Sequence, residues 1–128
     1  YGELDPRTHR LVYVNAGHVP PFVVRAAGGE ERLRSGGPVL GLLEEVTLEP
    51  GEIELGPGDL LAAVTDGVTE ATSPSDQEFG DERVRQALAA HKGAGAQATL
   101  SGLIAAVDGW VGPAGCSDDL TALILRAT

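Results

Sequence analysis

A chain of 128 residues fits one small domain or a piece of a larger one, and with 42% hydrophobic but only 4% aromatic residues its core must be aliphatic. The net charge of −10, from 19 acidic against 9 basic residues, repels phosphate backbones and anionic lipid, which excludes nucleic acid and membrane surfaces as expected partners and suits divalent cations. The single cysteine, Cys116, permits no disulfide within the chain and fits a reducing, cytoplasmic setting; no apolar run approaches the roughly 20 residues that span a bilayer.

Residues 1–4 read as a short strand, residues 5–8 carry turn chemistry around Pro6, and residues 11–15 (LVYVN) read as the returning strand of a hairpin. Gly17 to Pro21 breaks the pattern. Residues 22–25 resume it, Gly28 and Gly29 turn, and residues 32–34 return. Residues 35–43 (SGGPVLGLL) are apolar but interrupted by glycine and proline, so a packed irregular loop is expected. Val46, Leu48, Ile53 and Leu55 sit on short alternating segments. Pro57-Gly58-Asp59 is a strong turn, and residues 60–64 (LLAAV) read as a strand buried on both faces.

The period then changes. Residues 81–90 have Val84 and Leu88 at helical spacing behind acidic residues that favour a helix N-terminus. Leu100, Leu103, Ile104, Val107, Trp110 and Val111 mark the clearest helix, over residues 97–111, and Gly112-Pro113 ends it. That helix is expected to bury Leu100, Ile104, Val107 and Val111, with Ile104→Ala costing ~2–5 kcal/mol. Residues 120–125 (LTALIL) read as a last, mostly buried strand. The expected fold class is a layered α/β (α+β) sandwich, with mostly antiparallel strands in two packed sheets and the two late helices covering one side.

Two acidic motifs flank the buried strands: TDGVTE, residues 65–70, after LLAAV, and SDDLT, residues 117–121, before LTALIL. If these strands pair antiparallel, Asp66 and Asp118 meet at one sheet edge. Two carboxylates that close must share a proton or a cation, and hard oxygen ligands favour Mg²⁺ or Mn²⁺. Gly67 would leave room for a metal, water or phosphate beside the backbone. Such a site can activate water for attack on phosphorus. The plainer alternative stays open: Asp-Gly after a strand is a common turn, and Asp-Asp after a Gly/Pro loop is a common solvated surface.

The blocks NAGHVPP (15–21), GGPVLGLL (36–43), LGPGDLLAAVTDGVTEA (55–71) and CSDDLTALILR (116–126) together resemble the SpoIIE/RsbU-type branch of the metal-dependent (PPM) protein serine/threonine phosphatases. The resemblance implies that Asp66 and Asp118 are catalytic metal ligands in a site of two Mn²⁺ or Mg²⁺ ions. It places Glu70 where relatives carry a further acid linked to a weaker third metal. It gives Asp119 a supporting position beside the ligands, with His18 near the same third site. Glu70 has an alternative reading as an exposed acid at a helix start, and His18 as a residue bonded within its own loop. Asn15 and Gly17 are expected to shape that loop, and Cys116 to be a small buried packer. The implied substrate is a phosphorylated STAS-type anti-sigma-factor antagonist, with an upstream sensor domain in the parent protein.

The family's glycine-rich metal motif, which lies ahead of these blocks, is absent from residues 1–128. With no methionine either, the chain reads as the C-terminal part of one phosphatase domain, incomplete at its N-terminus. On this reading it binds Mn²⁺ weakly, is inactive alone, and has uncovered sheet surface through which it forms a homodimer. Two competing readings remain: a non-catalytic phosphatase-like binding module, and an unrelated α+β domain with acidic turns.

Overall fold

The computed structural model describes residues 1–116 and 118–128. Strands β1 (Gly2–Asp5) and β2 (Arg10–Tyr13) form the expected antiparallel hairpin, with Gly2 opposite Tyr13 and Asp5 opposite Arg10. Its turn is held by the Arg7 N–H donating to Asp5 Oδ1 at 2.9 Å, the side-chain mimicry that places aspartate in turns. Two short segments, β3 (Asn15–Ala16) and β6 (Gly36–Gly37), pair in parallel. Strand β7 (Gly51–Glu54) joins the free side of β2 and completes a three-stranded sheet.

The second sheet has β4 (Phe22–Val24), β5 (Glu30–Arg32), β8 (Leu60–Val64) and β9 (Ala122–Arg126) in the order β5-β4-β8-β9, antiparallel throughout. Alternation along these strands divides their side chains between two cores. Phe22, Leu60, Ala62 and Val64 face a helical layer. This layer is built by α2 (Gly80–Ala90) and α3 (Ala96–Val111), which contribute Val84, Leu88, Leu103, Val107 and Val111. Val23, with Leu61 and Leu125, faces the other way onto Leu11 and Ile53 of the three-stranded sheet. The layered sandwich of mostly antiparallel sheets flanked by helices is therefore as expected. A one-turn helix, α1 (Asp66–Thr69), follows β8, and a 3₁₀ turn, Gly112–Ala114, follows α3.

Several burial expectations need correction. Strand β8 is not buried on both faces, because Leu61 and Ala63 are only half-buried, and in β9 Leu123 is 56% exposed. The cause is coverage: three strands lie over four. A cleft of about 530 Å³ opens between the sheets, lined among others by Tyr13, Leu33, Ala63 and Leu123. The loop over residues 38–43 does not pack either. Val39 sits against Gly17, where a Cβ would lie 2.1 Å from its Cγ2, but Leu40, Leu42 and Leu43 are 58–75% exposed.

Helix α3 is rotated relative to the expected face. It buries Thr99, Leu103, Val107 and Val111, a strict four-residue stripe, while Leu100 and Ile104 are half-buried and belong to neither core. The rotation follows from one close approach. The His91 ring, at the end of α2, lies over Gly102, where a Cβ would stand 2.1 Å from Cε1. That ring is fixed by Nδ1 donating to the Ala87 carbonyl at 2.9 Å. Thr99 tolerates burial because its hydroxyl donates to the Gly95 carbonyl at 3.1 Å.

The turn between β7 and β8 is anchored by Asp59, only 5% exposed. Its carboxylate accepts from the amides of Ala26 at 2.8 Å and Gly56 at 3.0 Å, and pairs with Arg25 at 2.5 Å. Burial alone would push its pKa up; the two amides and the guanidinium outweigh that and hold it below the ordinary value. The carboxylate thus stitches this turn to the β4–β5 hairpin.

Two stability predictions follow from the packing. Leu103→Ala should cost about 2–5 kcal/mol and Ile104→Ala less than about 1.5 kcal/mol in urea denaturation. Asp59→Ala should cost about 3 kcal/mol at pH 7. Because the folded carboxyl titrates low, its charge contributes fully above the unfolded value of about 3.9 and fades as pH falls through the folded value. The gap between wild type and Asp59→Ala should therefore narrow when denaturation is repeated near pH 3.

Candidate functional site

Val64 of β8 lies opposite Ala122 of β9, and the ladder continues one step beyond both strands. The Thr65 N–H donates to the Thr121 carbonyl at 3.0 Å, and the Thr121 N–H donates back to Thr65 Oγ1 at 3.1 Å. The Thr65 hydroxyl also lies 3.4 Å from the carbonyls of Asp119 and Thr121. Thr65 occupies the N-cap of α1 yet makes no side-chain capping bond there. Its hydroxyl is instead engaged across the ladder. In this way residues 65–67 and 119–121 are tied at one edge of the sheet.

Gly67 is essential to that closure, for a reason other than the one expected. It is buried, and a Cβ on it would stand 2.3 Å from the Asp119 carbonyl oxygen. The space that its Cβ would take is filled by backbone. Glycine here permits the 119–120 segment to lie flush on α1.

The acidic side chains divide in a definite way. Asp118, Glu70 and Gly67 line one cleft of about 270 Å³, together with Ala71, Thr72 and Glu78. Asp66 does not line it; its exposed side chain stands on the first turn of α1, with Oδ1 accepting from the Gly67 N–H at 3.0 Å. Asp118 Oδ1 accepts from the Asp119 N–H at 2.7 Å in the same manner. Asp119 itself is exposed, and it is its backbone carbonyl that meets Gly67. Glu70 is the C-cap of α1, its N–H donating to the Asp66 carbonyl at 2.7 Å, so it is not an acid at a helix start. Ser117, which opens the Ser-Asp-Asp motif, lies outside the described residues.

Glu78 belongs to no motif singled out in the sequence. It reaches the cleft through a tight hairpin in which Thr72 bridges Glu78. The Ser73 N–H donates to the Gln77 carbonyl at 2.9 Å, and the Phe79 N–H to the Ala71 carbonyl at 2.8 Å. The signal that would have found it is Ser73-Pro74-Ser75-Asp76: turn residues four in a row, with Asp76 at φ 57°.

His18 is bound within its own loop and lines the inter-sheet cleft instead of the acidic one. Its Nδ1 donates to the Val19 carbonyl at 2.7 Å, its N–H donates to Asn15 Oδ1 at 2.9 Å, and Asn15 Nδ2 donates to the His18 carbonyl at 3.0 Å. Gly17, at φ 87°, completes this loop. Since β4 runs antiparallel to β8, with Phe22 opposite Ala62, the loop still leads toward the sheet end that carries Thr65. Cys116 is exposed, not buried as expected; it follows Gly115 in the loop after the 3₁₀ turn, beyond the last core residue Val111.

Among the described residues, no lysine, arginine or histidine pairs with the side chain of Asp66, Glu70, Glu78 or Asp118. The donors are carboxylate oxygens, the chemistry of a hard divalent cation such as Mg²⁺ or Mn²⁺. They fit such an ion as an open edge. Among the described residues no three His, Cys, Asp or Glu side chains are gathered closely enough to hold one by themselves. No helix among the described residues is long and apolar enough to cross a membrane.

Comparison with known proteins agrees with this architecture. The family model described as Stage II sporulation protein E (SpoIIE) matches residues 1–128. Protein IcfG of Synechocystis sp. is 37% identical over 91 residues, which is 71% of this chain and 14% of that protein. The PP2C phosphatase domain, with a fragment of the regulatory domain, of the cell fate determinant SpoIIE from Bacillus subtilis superposes with a TM-score of 0.76 at 22% identity, covering 98% of this chain and 36% of that one. The RsbU and RsbW domains of Rv1364c from Mycobacterium tuberculosis superpose with a TM-score of 0.74 at 23% identity, covering 98% and 34%. The chain thus spans about a third of these two solved structures and has their phosphatase-domain fold.

The Gly67 contact generates a direct test. Gly67→Ala should destabilise the chain by about 1–3 kcal/mol, because backbone has to move to admit the methyl group. Gly109→Ala, in α3 with open space around its Cα, should stabilise by about 0.5–1 kcal/mol. Thermal denaturation of the two variants beside wild type reads both signs.

Proposed function

The chain belongs to the SpoIIE family, and from that premise we propose that it is the C-terminal part of a metal-dependent protein serine/threonine phosphatase domain. What supports this reading is the edge beyond the β8–β9 ladder, where Asp118, Glu70 and Glu78 share one cleft, Asp66 stands on the adjoining turn of α1, and no basic side chain among the described residues pairs with these acids. Mn²⁺ or Mg²⁺, two per complete site, would supply Lewis acidity toward phosphoryl oxygens and activation of a water nucleophile.

The chain's own residues have defined tasks in this reading. Asp66 and Asp118 would hold the cations, each having one oxygen that accepts from the next amide and a second that could coordinate. Thr65, through its hydroxyl, and Gly67, through its close backbone contact, set the spacing between the two segments. Bare, the carboxylates repel a phosphoserine or phosphothreonine dianion; bound cations would reverse the sign of the local field toward the phosphoryl group. Metal dependence is thereby a consequence of electrostatics as well as of chemistry. The remaining ligands come from the rest of the domain, so residues 1–128 alone turn over phosphate esters negligibly. In the parent protein the substrate is a phosphorylated STAS-type anti-sigma-factor antagonist in the cytoplasm, and an upstream sensor domain switches the activity.

The test uses the complete parent domain with a phosphorylated STAS protein. Hydrolysis should require Mn²⁺ or Mg²⁺, cease on chelation, and fall by at least roughly 100-fold in Asp118→Asn. Turnover that survives chelation overturns the reading. Tight binding of the phosphoprotein by wild type with no turnover makes the chain part of a non-catalytic binding module instead.

A further inference from the structure

The hairpin that brings Glu78 to the acidic cleft is short, and its outer strand presents three successive backbone carbonyls, at Gln77, Glu78 and Phe79. Each is met by a side chain from the helical layer. The Trp110 indole Nε1–H, from α3, donates to the Gln77 carbonyl at 3.0 Å. The Arg83 guanidinium, from α2, donates to the carbonyls of Glu78 at 3.2 Å and Phe79 at 3.1 Å. The two side chains also hold one another, the guanidinium lying 3.7 Å from the centre of the indole ring. Phe79, which is buried, meets the indole edge-on with centroids 6.3 Å apart.

We infer that Arg83 and Trp110 form a clamp that positions Glu78, and through the Thr72 bridge Glu70, against Asp118. The inference rests on the reading that this cleft takes a divalent cation. Neither residue touches the cleft itself; both act through backbone. Arginine suits the task because one nitrogen, Nη1, serves both carbonyls while the planar guanidinium face stacks on the indole, a stacking that lysine cannot reproduce. Tryptophan suits it because its ring packs against Phe79 while its N–H reaches a backbone carbonyl. The clamp draws one residue from each of α2 and α3, so a shift between these helices would change the spacing of the carboxylates. The helical layer thus has a mechanical route to the metal edge.

The experiment titrates Mn²⁺ into the 128-residue chain by calorimetry, with melting temperature measured in parallel. Trp110→Phe keeps an aromatic ring and removes the donor; Arg83→Lys keeps the charge and removes the planar group stacked on the indole. Each should weaken Mn²⁺ binding about 3- to 10-fold, the effect of losing one or two hydrogen bonds that hold a ligand in place. Leu100→Ala, half-buried on α3 outside both cores, should lower the melting temperature without changing the affinity, which separates positioning from plain destabilisation. Trp110 is the chain's single tryptophan, so bound Mn²⁺ should also quench its fluorescence in wild type. If Asp118→Asn abolishes binding while Trp110→Phe and Arg83→Lys bind like wild type, the clamp is refuted and the cation reading stands. If wild type takes up no more Mn²⁺ than Asp118→Asn does, both are refuted.

Discussion

The antiparallel ladder between β8 and β9 is the constraint on which the rest of the molecule turns. Five residue pairs, from Leu60–Arg126 to Val64–Ala122, set a register that cannot slip by one without turning every side chain to the wrong face. The ladder runs on past the strands through Thr65 and Thr121, so the register of the hydrophobic sheet is transmitted to the acidic segments. Thr65 and Thr121 are more than fifty positions apart in the chain, and bringing their segments together costs loop-closure entropy. The apolar pairing of β8 with β9 offsets that cost.

The same two strands serve both cores. Ala62 and Val64 pack under α2 and α3, while Leu61 and Leu125 pack toward the three-stranded sheet. This shared use anchors the end of β8 that leads into Asp66. Val68, on α1, belongs to the helix-side core and is fully buried, so the one-turn helix carrying Asp66 is anchored one residue after Gly67. Asp66 is thus carried on packed backbone, whereas Asp118 stands in the bend that leads into β9.

How much of this was readable from the sequence depends on whether local pattern or long-range contact decided the outcome. The strands LLAAV and LTALIL and the motifs beside them were legible, because apolar runs bounded by turn residues announce themselves. The face of α3 was not. A helical repeat containing Leu100, Leu103, Ile104 and Val107 allows two neighbouring stripes, and the choice was made by Gly102 admitting the His91 ring, a contact between helices. The role of Gly67 was misread for the same reason. Sequence identifies a residue without a side chain; only the arrival of the Asp119 carbonyl reveals what occupies the space. Glu78 was overlooked because its importance derives from a bridge to Thr72 and not from its neighbours in a motif. His18, carried forward by resemblance, sits in a self-contained hydrogen-bonded loop facing the other cleft.

Charge is distributed with the same economy. In a chain with 19 acids and 9 bases, pairing must leave many carboxylates without a partner. The arginines are committed away from the sheet edge: Arg25 to Asp59 and Glu31, Arg32 to Asp81, Arg10 to Glu52, Arg85 to Glu82. Arg83, the cation bonded to the hairpin that carries Glu78, directs its guanidinium to backbone carbonyls and the indole and makes no ion pair with that carboxylate. A positive side chain placed against Glu78 would have neutralised the cleft and competed with any metal. Bonding to the carbonyls instead fixes the position of the carboxylate and leaves its charge intact. An edge meant only for solubility has no need of that distinction; the proposed cation edge does.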